Sequence, residues 1–349
     1  MDFANYLLEQ IRMHPAMQPQ DIWKLCYQAA FGPEHLLNDL QRAKEYLEKE
    51  YEATAAAAVP LYEPISDEVC RVNLAAWKFH GLPVAWLFRL FAASCRKRAH
   101  GEAMFRAYLQ RAEEMLSVAS VGFSRGAWED YVRSRKEAGL SPVHHSDFYR
   151  QQENPAYRIA DRRFTRIFPI LQKAAEKMAQ ARVCVIAIDG RAASGKTTMA
   201  ELLREVLEAD VICMDDFFLP PALRTAERFR QAGGNVHYER FQAEVLPFLS
   251  LPQAFSYRIF DCGRMDYHGE RKIGTARFRI VEGSYSCHPL LGTYADITVF
   301  SDVDGKTQMQ RLRRRNGEEM AQMFRDRWIP LEEAYFHAYP IAEKAEIRL

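Results

Sequence analysis

The sequence predicts an α/β domain, with a parallel sheet covered by helices on both faces, preceded by an all-α domain. Two observations predict this division. Residues 1–175 place apolar side chains at helical spacing, whereas residues 176–349 alternate short β-branched runs with helical stretches. Such strand–helix alternation is typical of parallel sheets. The chain has 349 residues, which is long enough for two domains with separate cores.

Composition excludes several classes of protein. The hydrophobic share is 48% and the formal net charge is +1, which is typical of a globular chain and gives no reason to expect a nucleic-acid or membrane partner. The most apolar run, residues 73–95, is interrupted by Lys78, Pro83 and Arg89, so it predicts core helices. Seven cysteines without C-x-x-C spacing and no leader pattern favour a cytoplasmic protein with free thiols. A homo-oligomer is left open.

The helical half is predicted from apolar periodicity and from helix start and stop residues. Ser66 begins one helix, which ends before Pro83. Helices are predicted over residues 33–51, 66–80, 84–95, 101–116 and 162–181. Residues 123–159 are expected to be irregular and contain the adjacent His144 and His145, whose side chains diverge on either a helix or a strand and so form a poor metal chelate. This half resembles no family that we can name.

A phosphate-binding signature follows the first predicted strand of the second half. Residues 183–188 form an apolar, β-branched run, and residues 190–197 have the spacing G-x-x-x-x-G-K-[ST] of a P-loop. The apolar residues that follow share one helix face: Met199, Leu202, Leu203, Val206 and Leu207. The signature therefore lies between a strand and a helix, which is the context that a P-loop requires.

The residue types of this loop suit a bound phosphate. Gly190 and Gly195 allow backbone angles that a Cβ would obstruct, so several N–H groups can face a phosphate at the positive end of the helix. Lys196 would reach the β- and γ-phosphates, and Thr197 would offer its hydroxyl to Mg²⁺. The alternative is a glycine-rich turn that binds nothing. The predicted nucleotide-binding residues are Gly190, Ala193, Ser194, Gly195, Lys196, Thr197 and Thr198.

Carboxylates follow two of the predicted strands. The strands are expected over residues 183–188, 211–214, 256–260, 278–282 and 296–300. Asp215 follows the second strand and Glu282 ends the fourth, so a parallel sheet would bring both to the edge that carries the P-loop. Phosphoryl transfer needs a base for the acceptor hydroxyl and ligands for Mg²⁺, roles that suit Asp215 and Glu282 respectively. Alternatively, acidic residues in these places form turns or helix caps.

A basic cluster lies on one later predicted helix. Arg311, Arg314 and Arg315 are spaced i, i+3 and i+4, so they share one face. Guanidinium groups on that face would close over the transferring phosphate as a lid. A solvated helix face is the other interpretation.

Taken together, these residues resemble the uridine kinase-like branch of the P-loop kinases, related to phosphoribulokinase, nicotinamide riboside kinase and bacterial pantothenate kinase. The resemblance covers about residues 181–349 and rests, in order, on "IAIDGRAASGKTT", "VICMDDFFLPP", "GGNVHYERF", "YRIFDC", "RIVEGSY" and "QRLRRRNG". It implies a P-loop kinase domain that uses ATP and Mg²⁺ and phosphorylates a hydroxyl of a small molecule.

The resemblance also implies roles for single residues. Asp215 matches the catalytic base of the family, Glu282 the carboxylate near the metal, and Thr197 the hydroxyl ligand. Arg311 and Arg315 match the lid arginines and, with Lys196, complete the predicted catalytic set.

The acceptor pocket departs from the family pattern. Uridine kinases carry N-F-D, whose Asp contacts ribose hydroxyls, where this chain has Asn235, Val236 and His237. They also carry a histidine shortly after the third strand, and none follows Asp261 here. We therefore expect uridine to be a poor substrate; whether His237 contacts another substrate or has no role is left open. Arg258 and Arg264 suggest an acceptor with a carboxylate or phosphate. The candidate substrate residues are Asp216, Phe218, His237, Arg258 and Asp261.

The sequence thus predicts an ATP- and Mg²⁺-dependent small-molecule kinase with an altered acceptor pocket. Two alternatives come from other classes: a nucleotide switch, and an ATP-sensing module that acts through the helical half. Residues 302–305 supply a D-x-x-G, but they follow a late strand, and the chain has no N-K-x-D motif to recognise guanine. Neither the acceptor nor the preference for ATP over GTP follows from the sequence.

Overall fold

The chain folds into two compact units, Met1–Thr165 and Arg166–Leu349, in a computed structural model that describes residues 3–36, 39–117, 119 and 121–349. The units divide before the predicted boundary at 175/176. Residues 162–167 form a 3₁₀ turn, and the helix Phe168–Met178 that follows packs on the sheet of the second unit, with which it therefore belongs. No helix among the described residues is both long and apolar enough to cross a membrane.

The first unit is mainly helical. Its helices are α1 (Phe3–Met13), α2 (Pro19–Phe31), α3 (Leu40–Ala53), α4 (Leu74–Phe79), α5 (Val84–Ser94), α6 (Gly101–Leu116), α7 (Arg125–Ala138) and α8 (Asp147–Glu153). Helix α2 packs against α6 and α7, where Trp23 and Phe105 meet edge to face with centroids 4.9 Å apart. The helix predicted over residues 33–51 is a short 3₁₀ turn followed by α3; its residues 37 and 38 lie outside the described part of the chain.

A three-stranded antiparallel sheet in this unit corrects the all-α expectation. Its strands, in spatial order, are β1 (Tyr62–Pro64), β2 (Val69–Asn73) and β3 (Tyr157–Asp161). The helix predicted from Ser66 is instead β2 followed by the short α4, whose first amides are capped by Asn73. Pairing of β2 with the distant β3 explains the difference, since long-range pairing overrides local helical periodicity.

His145, one of the adjacent histidines of this unit, forms hydrogen bonds that connect distant parts of the chain. His145 Nδ1 lies 2.8 Å from Asp21 Oδ1, and its Nε2 lies 2.6 Å from the Tyr157 hydroxyl. Burial lowers the pKa of His145 to about 4, so the ring is neutral at pH 7. Within the described ranges, no group of three or more His, Cys, Asp or Glu side chains is placed to hold a metal ion.

The second unit contains the α/β fold predicted for this half. Its helices are α9 (Phe168–Met178), α10 (Lys196–Leu207), α11 (Ala226–Arg230), α12 (Tyr238–Glu244), α13 (Leu246–Leu249), α14 (Gly305–Asn316), α15 (Glu318–Met323), α16 (Ile329–Ala338) and α17 (Ile341–Lys344). Its strands are β4 (Cys184–Gly190), β5 (Asp210–Cys213), β6 (Phe255–Asp261), β7 (Asp266–Ile273), β8 (Phe278–Glu282), β9 (Ile297–Ser301) and β10 (Ile347–Arg348).

Five of these strands form one parallel sheet in the order β10-β9-β4-β8-β5, flanked by helices, which confirms the predicted α/β fold. Strand β4 is central and buried along its whole length. The chain crosses to β5 and β8 on one side of β4 and to β9 on the other, so β4 ends at a topological switch point. Ligands of open α/β sheets bind at such points.

The strand predicted over residues 256–260 does not belong to this sheet. It is β6, which pairs antiparallel with β7 in a separate hairpin. In this strand Tyr257 and Phe260 are buried and Ser256 and Arg258 exposed, with a register shift between Arg258 and Phe260. A central parallel strand is covered on both faces, whereas a strand with one wet face suits a hairpin. Strand β10 has only two residues, too few to show a sequence pattern.

Candidate active site

The predicted P-loop connects β4 to α10 and has the backbone geometry that its glycines allow. Gly190 has φ 140°, and a Cβ there would lie 2.0 Å from the Ser301 carbonyl oxygen. Gly195 has φ 104°, and a Cβ there would lie 2.8 Å from Arg166 Nη1. Ala193 also has a positive φ, 57°. The loop is therefore compact against β9 and an arginine, and its shape depends on the two glycines.

A buried carboxylate fixes the start of this loop. Asp189 is fully buried and accepts four hydrogen bonds, from the amides of Gly190 (2.7 Å), Tyr285 (3.0 Å) and Cys287 (2.9 Å) and from the Tyr335 hydroxyl (2.8 Å). Burial raises the pKa of Asp189. The residue was not singled out in the sequence because its partners lie far along the chain. It positions the loop and does not line the cavity.

A second buried carboxylate, Glu332, holds the middle of the loop. It accepts a hydrogen bond from the Ala192 amide (2.9 Å) and another from the Ser284 hydroxyl (2.7 Å). Gln308 donates to the Ala192 carbonyl oxygen at 3.0 Å. Burial raises the pKa of Glu332, although Lys196 opposes this. Gln308 lies in α14 and Glu332 in α16, and no sequence motif marks either residue.

Lys196 is held ready for an anion. It is 8% exposed, and its Nζ donates to the carbonyl oxygens of Gly190 and Arg191, both at 2.8 Å. No carboxylate in the described part of the chain forms an ion pair with it. Its hydrogen-bond partners are carbonyl oxygens, and its charge also acts at a distance on Asp215 and Glu282. An ammonium group that no carboxylate contacts directly suits a phosphate brought to the loop.

A cavity of about 910 Å³ opens beside the P-loop. The predicted site residues that line it are Ala193, Gly195, Lys196, Thr197, Thr198, Asp215, Phe218, Glu282, Arg311 and Arg315, together with Arg314. Gly190 and Ser194 belong to the loop but do not line the cavity; Ser194 is buried and its hydroxyl has no partner among the described residues.

Two carboxylates in the cavity differ in their surroundings. Glu282 faces Thr197, whose hydroxyl lies 3.2 and 3.3 Å from its two oxygens. Asp215 is exposed to the cavity, and no donor in the described ranges lies within hydrogen-bond distance of its carboxylate. Desolvation by the surrounding protein raises the pKa of Asp215, and repulsion from Asp216 raises it further. Burial and repulsion from Asp215 raise the pKa of Glu282. An unengaged carboxylate with a raised pKa suits proton abstraction.

Thr197 and Glu282 fit the ligand chemistry of Mg²⁺. This ion prefers oxygen ligands and keeps several waters, so it binds through one or two protein oxygens together with substrate phosphates. The mutual repulsion that raises the pKa of Glu282 is relieved by a nearby cation.

Four of the arginines that line the cavity lie in α14 or just before α9. Arg311 Nη1 donates to the Ala193 and Ser194 carbonyl oxygens at 3.0 and 3.3 Å. Arg314 and Arg315 follow it on α14 and also line the cavity. The fourth is Arg166, which was not expected because it precedes the P-loop strand. Its Nη2 donates to Ser194 O (3.0 Å) and to the Ser301 hydroxyl (3.1 Å).

Four of the candidate substrate residues do not line this cavity. Asp216 is buried and accepts hydrogen bonds from Arg271 Nε (2.8 Å) and the Tyr257 hydroxyl (2.9 Å). The 3₁₀ turn after β5 explains this placement, because successive residues of such a turn point about 120° apart. Asp215 therefore faces the cavity, and its neighbour Asp216 packs toward β6 and β7.

The other three also have different surroundings. Arg258 is paired with Glu244, with 2.8 Å between Nε and Oε1. Asp261 accepts a hydrogen bond from the Gly263 amide at 2.7 Å and closes the hairpin turn. The backbone amide of His237 donates to the Phe217 carbonyl oxygen at 2.7 Å; its Nδ1 has no partner among the described residues, and the side chain lies outside the cavity lining. Of the five candidates, Phe218 alone lines the cavity.

The cavity wall also contains apolar residues that were missed in the sequence. Its additional lining residues are Phe229, Met265, Met320, Met323, Phe324 and Trp328, with the polar Arg224 and Asn235. The Asn235 side chain is 5% exposed. Aromatic and methionine residues carry no short signature, and these come from three separate segments that the fold brings together.

Comparison with known proteins gives a fold likeness. No family model and no curated protein sequence matches the chain. The chain is similar to a solved structure described as a possible uridine kinase from Bacillus stearothermophilus, with 19% identity, a TM-score of 0.42, and coverage of 54% of this chain and 99% of that chain. It is also similar to a proposed fructose transport system kinase from Silicibacter sp. TM1040, with 21% identity, a TM-score of 0.44, and coverage of 52% and 97%. At this level of similarity, we base the function on the geometry of the site.

Proposed function

We propose that this protein is a phosphotransferase that moves the γ-phosphate of ATP, with Mg²⁺, to a hydroxyl group of a small molecule. One observation carries the proposal: the lysine of a P-loop and an unengaged carboxylate, Lys196 and Asp215, line the same cavity, with Thr197 and Glu282 also in its wall. Phosphoryl transfer to an alcohol needs this combination of an anion cradle, a metal ligand and a base.

The loop side of the cavity binds the nucleotide phosphates in this proposal. The amides at the start of α10 and the charge of Lys196 hold the β- and γ-phosphates. Arg311 is already bonded to the loop, and Arg315 lies one turn further along α14, so both are placed to stabilise the charge on the transferring group. Arg166 braces the loop from behind Gly195.

Thr197 and Glu282 would hold the metal through a hydroxyl and a carboxylate oxygen. When bound, Mg²⁺ neutralises charge that develops on the phosphate oxygens. Glu282 is at the end of β8, next to the end of β4 in the sheet, so the backbone fixes its distance from the loop. This placement allows the carboxylate to orient the ion and the phosphates together.

Asp215 acts as the general base. Its carboxylate accepts the proton of the acceptor hydroxyl as that oxygen forms a bond to the γ-phosphorus, while the bond from the γ-phosphorus to the bridging oxygen of ADP breaks. The proton is on Asp215 at the end of the step and leaves to solvent with the products. A free acceptor site on the carboxylate is required, and Asp215 has one.

We also propose that the acceptor is not uridine. In the uridine kinase-like pattern, residues near the positions of His237 and Asp261 would contact the nucleoside, and these side chains lie outside the cavity lining here. The walls on that side are aromatic and methionine-rich instead. A site that leaves ribose hydroxyls unpaired discriminates strongly against them.

The test is acceptor-dependent release of ADP. Wild-type protein with ATP and Mg²⁺ is assayed with no acceptor, with uridine and cytidine, and with a panel of hydroxy acids and sugar alcohols. A phosphotransferase gives ADP release that requires one of the acceptors and is lost in Lys196→Ala. Equal ADP release without any acceptor would contradict the proposal and favour a nucleotide-hydrolysing switch or sensor.

A further inference from the structure

Arg224, in the wall of the cavity, is a cation with no carboxylate partner among the described residues. Arg224 lines the cavity and is partly buried. Its Nε donates to the Leu219 carbonyl oxygen at 2.7 Å, which orients the guanidinium group, and the ring of Phe260 lies 5.9 Å from its central carbon. Among the residues that the structure describes, no Asp or Glu forms an ion pair with it. The Cys262 thiol is close enough to interact with this guanidinium group, but no carboxylate occupies its outer nitrogens, Nη1 and Nη2.

The arginines that the sequence suggested for this role are already neutralised. Arg258 is paired with Glu244 (2.8 Å), and Arg264 lies 3.6 Å from Asp261. Neither lines the cavity. Arg224 therefore replaces Arg258 and Arg264 as the candidate arginine for binding an anionic group of the acceptor.

Arg224, Asp215 and Cys262 all line the same cavity. Burial raises the pKa of Cys262, proximity to Arg224 lowers it, and proximity to Asp215 raises it. Both charged groups are thus within electrostatic range of the same sulfur atom, which also lines the cavity. One small molecule bound in this cavity can therefore meet the carboxylate of Asp215 and the guanidinium group of Arg224.

A second polar group in this part of the cavity also lacks a partner. Asn235 is 95% buried, and its Oδ1 has no hydrogen-bond partner in the described part of the chain. Its side chain is beside the hydroxyl of Tyr285, a non-glycine residue held at φ 74° by the bond from its amide to Asp189. An unsatisfied buried carbonyl costs stability and a backbone in this region is strained, and both are typical of binding sites.

We infer that the phosphate acceptor is an anionic alcohol with an apolar carbon skeleton, whose anionic group binds Arg224. This inference rests on the proposed phosphotransfer function and specifies its substrate class. The hydroxyl meets Asp215, a hydrogen-bond donor of the substrate meets Asn235 Oδ1, and the skeleton packs against Phe218 and Met265. Carboxylate and phosphate are the two anions that a guanidinium group binds in this way.

The test compares each hydroxy acid with its uncharged amide. The pairs are glycerate with glyceramide, pantoate with pantoamide, and mandelate with mandelamide; glycerol 3-phosphate with glycerol distinguishes phosphate from carboxylate. For the wild type, we expect kcat/KM for ADP release to be about 10- to 100-fold higher for the anionic member of at least one pair, because charge-assisted hydrogen bonds are worth about that factor. Arg224→Gln should remove this preference, chiefly by raising KM for the anion.

Arg264→Gln is the matched control, since it removes an arginine whose charge is already paired outside the cavity. It should keep the wild-type preference. Equal kcat/KM within every pair, or a preference that persists in Arg224→Gln, would overturn the inference while leaving phosphotransfer intact. If no member of any pair stimulates ADP release, calorimetry measures binding of the anionic members in the presence of Mg·ADP. Binding that is lost in Arg224→Gln would support the anion site and contradict phosphotransfer. No binding would overturn both.

Discussion

Replacing Asp215 by asparagine removes a proton acceptor and keeps the shape of the side chain. No described donor lies within hydrogen-bond distance of its carboxylate, so the substitution breaks no hydrogen bond of the folded chain. General base catalysis contributes about 10²–10⁴-fold, which corresponds to about 3–6 kcal/mol at about 1.4 kcal/mol per tenfold. We expect kcat to fall by about that factor, again about 10²–10⁴-fold, while the Kd for ATP stays within a few fold because the P-loop is unchanged. Stopped-time ADP assays and calorimetry measure the two quantities.

The pH dependence of kcat provides a second test of the same carboxylate. The base works when deprotonated, so activity falls as pH drops through its pKa. Since its surroundings raise the pKa of Asp215, we expect the acidic limb of kcat to lie above the value of about 3.9 for an unperturbed Asp. Arg315 lowers the pKa of Asp215, so Arg315→Gln should move this limb to higher pH. A limb that moves to lower pH would contradict the assignment.

In Asp215→Asn, the free energy of unfolding should rise although activity falls. A carboxyl group with a raised pKa in the folded state contributes stability that is present below its unfolded pKa and is lost as pH rises through its folded pKa. At pH 7 the charged Asp215 therefore destabilises the fold, and Asp215→Asn should raise the free energy of unfolding. Chemical denaturation at pH 7 measures this difference.

Asp216→Asn is the matched control, one residue along the chain. Asp216 is bonded to Arg271 and Tyr257 and does not line the cavity. Breaking a partly exposed ion pair of this kind should cost about 1–2 kcal/mol of stability, with kcat of the folded protein within a few fold of wild type. Wild-type kcat in Asp215→Asn, or equal loss in both variants, would refute the base assignment.

Three further substitutions test the rest of the site and its support. Lys196→Ala should abolish turnover and weaken ATP binding in calorimetry, with a loss of about 1–2 kcal/mol in unfolding free energy because two loop carbonyls lose a donor; tight ATP binding would contradict the P-loop role. Glu282→Gln should raise the Mg²⁺ concentration needed for half-maximal turnover, and an unchanged requirement would remove Glu282 from the metal site. Arg279 is fully buried and donates to four carbonyl oxygens at 2.6–3.0 Å. In chemical denaturation, Arg279→Met should therefore lower the free energy of unfolding by about 2–4 kcal/mol, and Arg277→Met, at an exposed position, by less than about 1 kcal/mol. Equal losses would contradict this account.

The parallel sheet and the P-loop could be predicted because their signals are local. The spacing from Gly190 to Thr197 fixes a loop between a strand and a helix, and strand ends of a parallel sheet meet at one edge, which is where Asp215 and Glu282 lie. The hairpin formed by β6 and β7 could not be separated from the sheet in the same way. A short apolar run predicts a strand but not the strand with which it pairs.

The remaining site residues depend on contacts between distant parts of the chain. Asp189 is bonded to Tyr335, 146 residues later, and neither side chain lies in a motif that predicts the other. Arg224 and Asn235 lie in loops and short helices whose course is set by tertiary packing. The sequence could place charges near the acceptor, but it could not show that Arg258 is neutralised by Glu244, because that pairing depends on how α12 packs against β6.

The most direct test of the proposed phosphotransfer follows the γ-phosphate itself. Wild-type protein is incubated with Mg²⁺, ATP labelled in the γ-phosphate, and the acceptor that best stimulates ADP release, and the products are separated and identified by mass spectrometry. We predict that the label appears in the acceptor as a phosphate ester, in a one-to-one ratio with ADP, and that Asp215→Asn abolishes the ester. Label found only as inorganic phosphate, with the acceptor unmodified, would contradict the account.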